Sequence, residues 1–270
     1  MANRRRLDWG LVVSAVSYLN TWPLVWGFLH GPQRGLFDFR FDLPVDCAQA
    51  LRDGSADVGL VPCAELDRIG LDFLPELGIA CDGPVRSILL ISRCPFGDIR
   101  KLAVDSSSRT SVALARIILG ERYGCRPEIT ALEPKLEDML VANDAALIIG
   151  DPALHLEPSE LPYNVLDLGA EWVALSGLPM VFAVWAGRTK FLTPKAAAAF
   201  RGSYQWGRDH IDEMVEHAAR ERGFDPKLAR DYFTHYIVYP LGPKHLEGLA
   251  LFRKMVMELD RVSATAVAAK

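Results

Sequence analysis

The chain has 270 residues, 30 Lys and Arg against 34 Asp and Glu, a net charge of -4, half of its residues hydrophobic and 24% charged. This is the balance of a globular protein with a sizeable core, and the length fits either one large α/β domain or two lobes of about 100 to 150 residues, of which two lobes are expected. No Lys/Arg run extends beyond Arg4-Arg5-Arg6, so the electrostatic footprint of a nucleic-acid binder is missing.

That basic triplet precedes a stretch from Trp9 to Gln33 without Asp, Glu, Lys or Arg. It does not read as an anchor: the apolar piece Leu11 to Val16 is only six residues long, and Ser17, Tyr18, Asn20, Thr21 and Pro23 follow where a span needs hydrocarbon. A cytoplasmic mature chain with no membrane partner is expected. The β-branched run 11–16 predicts a strand, and Pro23, Leu24, Val25, Trp26 and Phe28 carry helical spacing after it. The unit recurs: strand 37–43, helix 45–53, strand 57–61, and a helix opened by Pro62, a residue favoured in a first turn. An apolar run 87–92 predicts a further strand, followed by strand 101–104, a helix capped by Ser108 or a neighbour and stopping near Gly124, strand 128–132, helix 133–141 and buried strand 145–149. Met180 to Ala186 predicts another strand, and helices are expected over 196–200, 211–219 and 245–259.

Alternating strands and helices argue for an α/β protein with parallel sheets, which bind ligands at the carboxyl ends of their strands. Three polar groups fall at such ends: Ser17-Tyr18-Leu19-Asn20, the cluster from Ser106 to Ser111, and Gly150-Asp151. Each is expected to begin a helix, and the N-terminal N–H groups and dipole of the first two suit a small anion. Ordinary capping explains any one of them as well. The five cysteines, Cys47, Cys63, Cys81, Cys94 and Cys125, include no CxxC pair, so reduced thiols are expected rather than a zinc or redox site.

Val16-Ser17-Tyr18-Leu19-Asn20-Thr21, Ala56-Asp57-Val58-Gly59-Leu60-Val61-Pro62, Gly83-Pro84-Val85-Arg86-Ser87, Ser107-Ser108-Arg109-Thr110-Ser111 and Ile149-Gly150-Asp151-Pro152-Ala153-Leu154 together resemble the chorismate dehydratase family of the futalosine route to menaquinone. The resemblance spans nearly the whole chain. It implies a two-lobed, type II periplasmic-binding-protein-like α/β fold with a ligand cleft between the lobes. The crossings are implied near 87–92 and 184–188, giving residues 1–90 and 187–270 to the first lobe and 91–186 to the second. Non-catalytic small-anion solute-binding or sensor proteins share that fold, as does the sister enzyme that makes a dihydroxynaphthoate, and fold alone does not choose among them.

What the resemblance implies chemically is a hydro-lyase that takes the ring 4-hydroxyl and the carbon 3 proton from chorismate, leaving 3-[(1-carboxyvinyl)oxy]benzoate. No cofactor or metal is called for, and the sequence has no HExxH, glycine-rich phosphate loop or Walker lysine motif. None of the six histidines lies in the matched motifs, His155 beside Leu154 being the nearest. Substrate assistance follows: the enolpyruvyl carboxylate removes the proton if the site folds the arm over the ring. Asn20 is the catalytic candidate, orienting the ring or its leaving hydroxyl, with a simple turn residue as the alternative. Ser17, Tyr18, Ser87, Ser108, Arg109, Thr110, Ser111 and Asp151 are the candidates for holding the dicarboxylate. Arg109 reads equally as a surface ion-pair partner and Asp151 as a helix cap. Tyr18, Trp22, Phe182 and Trp185 suit either a cleft wall or the core.

Overall fold

The computed structural model describes residues 10–105 and 107–268, with side chains described as far as Arg261. The chain forms two compact units, residues 1–79 with 183–235 and residues 80–182 with 236–270.

In the first unit β1 (Val12–Val16) lies between and parallel to β2 (Asp38–Asp42) and β3 (Val58–Pro62). Two helices supply the crossovers that parallel neighbours require, α1 (Trp22–His30) and α2 (Pro44–Asp53), each begun with a proline in its first turn. The sheet continues through β10 (Met180–Gly187) to β4 (Asp72–Cys81). Residues 13–16 and 58–62 are buried, as expected of strands covered on both faces. Helix α8 (Pro194–Asp209) packs on α1 by close backbone approach: Ser203 Oγ donates to the Leu24 carbonyl and accepts from the Phe28 N–H, 2.9 and 3.2 Å away. α9 (Ile211–Arg222) and α10 (Pro226–Asp231) complete this unit, with the short α3 (Leu66–Ile69) after β3.

The second unit is built on the order β7-β6-β8-β5-β9, with β5 at Ile88–Ser92, β6 at Lys101–Asp105, β7 at Glu128–Leu132, β8 at Ala145–Ile149 and β9 at Asn164–Asp167. Helices α4 (Thr110–Tyr123), α5 (Leu136–Val141), α6 (Gly150–Leu154) and α7 (Leu168–Ser176) flank it. Leu89, Ile91, Ala103, Met139, Ala146 and Ile148 form one buried cluster between sheet and α5. The long C-terminal helix α11 (Pro243–Ala268) belongs here, its Phe252 ring edge-on to Trp172 of α7 at 5.8 Å.

Two expectations are corrected. The sheets are mixed rather than parallel, because β10 runs antiparallel to β3, and β5 antiparallel to β8 and β9. A strand buried on both faces carries the same apolar pattern in either direction, so patterning does not reveal its sense. The units also divide differently from the expected 1–90, 91–186 and 187–270. The chain changes unit within β4 and within β10, and a third time at 235/236 inside the π-helical turn Tyr232–Tyr236.

Candidate functional site

Within the first unit, β1 ends at Val16 and the backbone turns through residues 17–21 before α1. Both backbone polar groups of Ser17 are held: its N–H donates to the Asp42 carbonyl at 3.0 Å, and its carbonyl accepts from Arg222 Nη2 at 2.8 Å. A single turn of 3-10 helix, Leu19–Thr21, follows, with Leu19 and Thr21 buried. Asn20 between them is half-buried, and its Oδ1 lies 3.5 Å from the Thr21 hydroxyl, the outer limit of a hydrogen bond. The turn therefore seals its neighbours inward and leaves the Asn20 amide at the edge. Tyr18 and Ser17 are also half-buried.

The second unit holds the remaining candidates. Asp105 ends β6, and its Oδ1 accepts from Ser107 N–H and Oγ at 2.8 and 2.7 Å, an Asx turn that shapes the loop into α4. Ser108 Oγ accepts from the Ser111 N–H at 3.2 Å, so Ser108 performs the expected capping contact. Thr110 and Ser111 are both 4% exposed, and the Thr110 hydroxyl donates to the Phe182 carbonyl at 3.2 Å. A hydroxyl has one proton, so in this arrangement the Thr110 side chain has none for a carboxylate. Arg109 precedes α4 and is exposed. Ser106, counted in the polar cluster, lies outside the described residues.

Ser87 is 1% exposed, and its carbonyl accepts from the Gly150 N–H at 2.8 Å, which ties the start of β5 to the start of α6. Arg86 before it adopts φ 67°, a left-handed backbone rare outside glycine. Its guanidinium donates to the Ala153 and Leu156 carbonyls, which joins the residues before β5 to the end of α6. Asp151 is not the cap of α6: the helix begins at Gly150 after Ile149, and no side chain caps it. Trp22, Phe182 and Trp185 are buried, which places them in the core.

Three groups escaped the sequence reading. Asp167 accepts from the N–H groups of Val85, Arg86, Gly169 and Ala170 within 3.1 Å, capping α7 and clasping residues 85–86 at once. Burial pushes its carboxyl above the usual range against the pull of those four donors. An Asp before Leu168-Gly169-Ala170 was a legible cap signal; its second task was not. Asp42 accepts from Ser14 Oγ and Arg40 Nε, each at 2.6 Å, beside Cys47, whose thiol burial pushes up to about 12. Arg222 is the third. Among the described residues no group of three His, Cys, Asp or Glu is placed to hold a metal, and no helix is long and apolar enough to cross a membrane.

Residues 11–258 match a protein family described as menaquinone biosynthesis. The chain belongs to that family. Among curated relatives, the chorismate dehydratase of Thermus thermophilus is 31% identical over 230 residues, covering 78% of this chain and 83% of the relative, and that of Campylobacter jejuni is 24% identical over 247 residues, covering 90% and 92%. Among solved structures, an Archaeoglobus fulgidus protein aligns with a TM-score of 0.76 at 16% identity, over 94% of this chain and 98% of that one. The periplasmic aliphatic sulphonate binding protein of Escherichia coli aligns at 0.64 and 16%, over 96% and 89%. The fold is thus the α/β fold of periplasmic binding proteins, here in a family of biosynthetic enzymes.

Proposed function

We propose that this protein is a chorismate dehydratase, a hydro-lyase acting without metal or organic cofactor. The observation that carries the reading is the 31% identity to the Thermus enzyme over 78% of the chain. In the reaction the carbon 3–hydrogen bond breaks and its electron pair becomes the new ring double bond as the carbon 4–oxygen bond breaks. The proton and the hydroxyl leave together as water, and aromatisation drives the step. The enolpyruvyl carboxylate of the substrate takes the carbon 3 proton, a proximity effect that needs positioning more than a tuned side chain. Asn20 orients the departing hydroxyl. Ser17, Tyr18, Ser87, Ser108, Arg109, Ser111 and Asp151 are proposed substrate contacts, and Thr110 contributes by fixing the start of α4 through its bond to Phe182.

Incubation of chorismate with the purified protein tests the proposal, with a new benzoate chromophore of the mass expected for 3-[(1-carboxyvinyl)oxy]benzoate as the expected result. Turnover is expected to survive a chelator. Binding of chorismate without product would favour a solute-binding or sensor role, and neither binding nor product would end the assignment, leaving the dihydroxynaphthoate-forming sister activity as the next to assay.

A further inference from the structure

Ser17 is the first residue beyond the β1 ladder, where the chain must turn and its carbonyl needs a donor from outside the sheet. That donor is Arg222, the last residue of α9, 2.8 Å away and more than two hundred positions along the chain. Helix α9 stops there because Gly223 takes a left-handed φ of 69°. The guanidinium is held from a second side, lying 5.0 Å from the centroid of the Trp22 ring, within cation–π range. Trp22 is fixed in turn by His217, five residues earlier on α9, at 5.2 Å and by Trp26 at 5.8 Å. Arg222 thus bridges the two ends of the segment that carries Asn20: the carbonyl of Ser17 before it and the ring of Trp22 after it.

We infer that Arg222 is a positioning residue for the proposed dehydration, setting the 17–21 turn so that the Asn20 amide faces the leaving hydroxyl. The inference rests on the assignment of Asn20 made above. A planar, permanently charged fork that donates to a carbonyl while stacking on an indole does this better than a flexible ammonium, though Lys retains a donor and a charge. Without the bridge the Ser17 carbonyl turns to water, and the turn, which keeps the Ser17 N–H bond to the Asp42 carbonyl and the Thr21-to-Tyr18 bond but loses its tie to α9, samples other conformations.

The test compares Arg222→Ala, Arg222→Lys and Asn20→Ala, singly and combined, in kcat, KM and amide hydrogen exchange. Arg222→Ala is expected to lower kcat about tenfold with KM within about threefold, since a misplaced catalytic amide loses transition-state rather than ground-state binding. Arg222→Lys recovers at least half of that loss on a logarithmic scale. In the Asn20→Ala background Arg222→Ala costs nothing further, because the two act as one unit. Exchange of residues 18–21 quickens in Arg222→Ala while the β1 strand keeps its protection, a readout that stands whether or not chorismate is the substrate. Unchanged kcat in Arg222→Ala, a full additional loss in the double variant, or exchange in residues 18–21 equal to wild type would each overturn the inference. Absence of turnover by the wild-type protein, with the exchange result as expected, would overturn the assigned reaction and leave the positioning of the turn standing.

Discussion

Thr110 and Asn20 have opposite surroundings, and the contrast sets what each substitution should do. The Thr110 hydroxyl donates to the Phe182 carbonyl in a buried setting. Thr110→Val removes that donor and leaves the carbonyl without it, so stability should fall by about 1 kcal/mol or somewhat more. Product affinity should change by less than about threefold, a fraction of a kcal/mol. Sequence reasoning expects the reverse, a loss of about ten- to a hundredfold in affinity from one hydroxyl bonding a charged group. Melting curves beside product titrations decide between them, and a tenfold affinity loss at unchanged melting temperature returns the hydroxyl to the substrate. Asn20 makes one marginal contact, to Thr21, so little stability hangs on its amide. Asn20→Ala should melt within about 0.5 kcal/mol of wild type, the range of substitutions that break no buried bond, while most turnover is lost. Wild-type kcat in that variant would reduce Asn20 to a turn residue.

At the scale of elements, the strands and helices with strong periodicity or a clear cap were readable. The βα units from residue 11 to 62 and from 101 to 154 stand within a few positions of where the sequence places them. β4 was not, because Pro75 and Glu76 interrupt its apolar run and a proline argues against an interior strand. β9 was missed for its brevity, four residues of which none is fully buried. The polar turns at strand ends were also legible, while the long-range tasks of Asp167 and Arg222 were not, since each acts on a segment some 80 or 205 positions away. Asp144 shows how such a contact can be read by pH. Its Oδ2 accepts from the N–H groups of Arg100 and Lys101 at 2.9 and 2.8 Å, joining the start of β6 to the start of β8. These two bonds hold its carboxyl below the usual range. A depressed folded value means the stabilisation is present above the ordinary carboxylate pKa and is lost as pH falls through the folded one. Asp144→Asn should therefore melt below wild type at neutral pH, and the gap should close as pH falls below about 4. A gap that stays constant from pH 7 to the acid limit would show that the charge on Asp144 contributes nothing.

Across the whole molecule, the surprise is that the last 35 residues belong with the second unit, although the helices immediately before them belong with the first. Length and composition say nothing about such a return, and α11 has the same amphipathic spacing whichever core it covers. What fixes it is fit. Gly248 of α11 lies so near the backbone before β10 that an added Cβ would stand 2.1 Å from the Pro179 carbonyl oxygen. The same carbonyl accepts from Trp172 Nε1 at 3.2 Å, so it has little room to retreat, and Trp172 itself is fully buried against Phe252. Gly248→Ala should force α11 off this seat and destabilise the second unit by about 1–3 kcal/mol or more, the usual result of overpacking. Gly120→Ala is the matched control. It too sits in a helix, yet a Cβ there meets nothing within 4 Å, and helix propensity favours it by up to about 1 kcal/mol. Hydrogen exchange localises the damage: protection should fall in residues 168–182 and 243–261 of the Gly248 variant and stay at wild-type levels in β1 and β3. Protection lost instead from the first unit, or a Gly248→Ala protein as stable as the control, would show that the C-terminal helix is not seated by this contact.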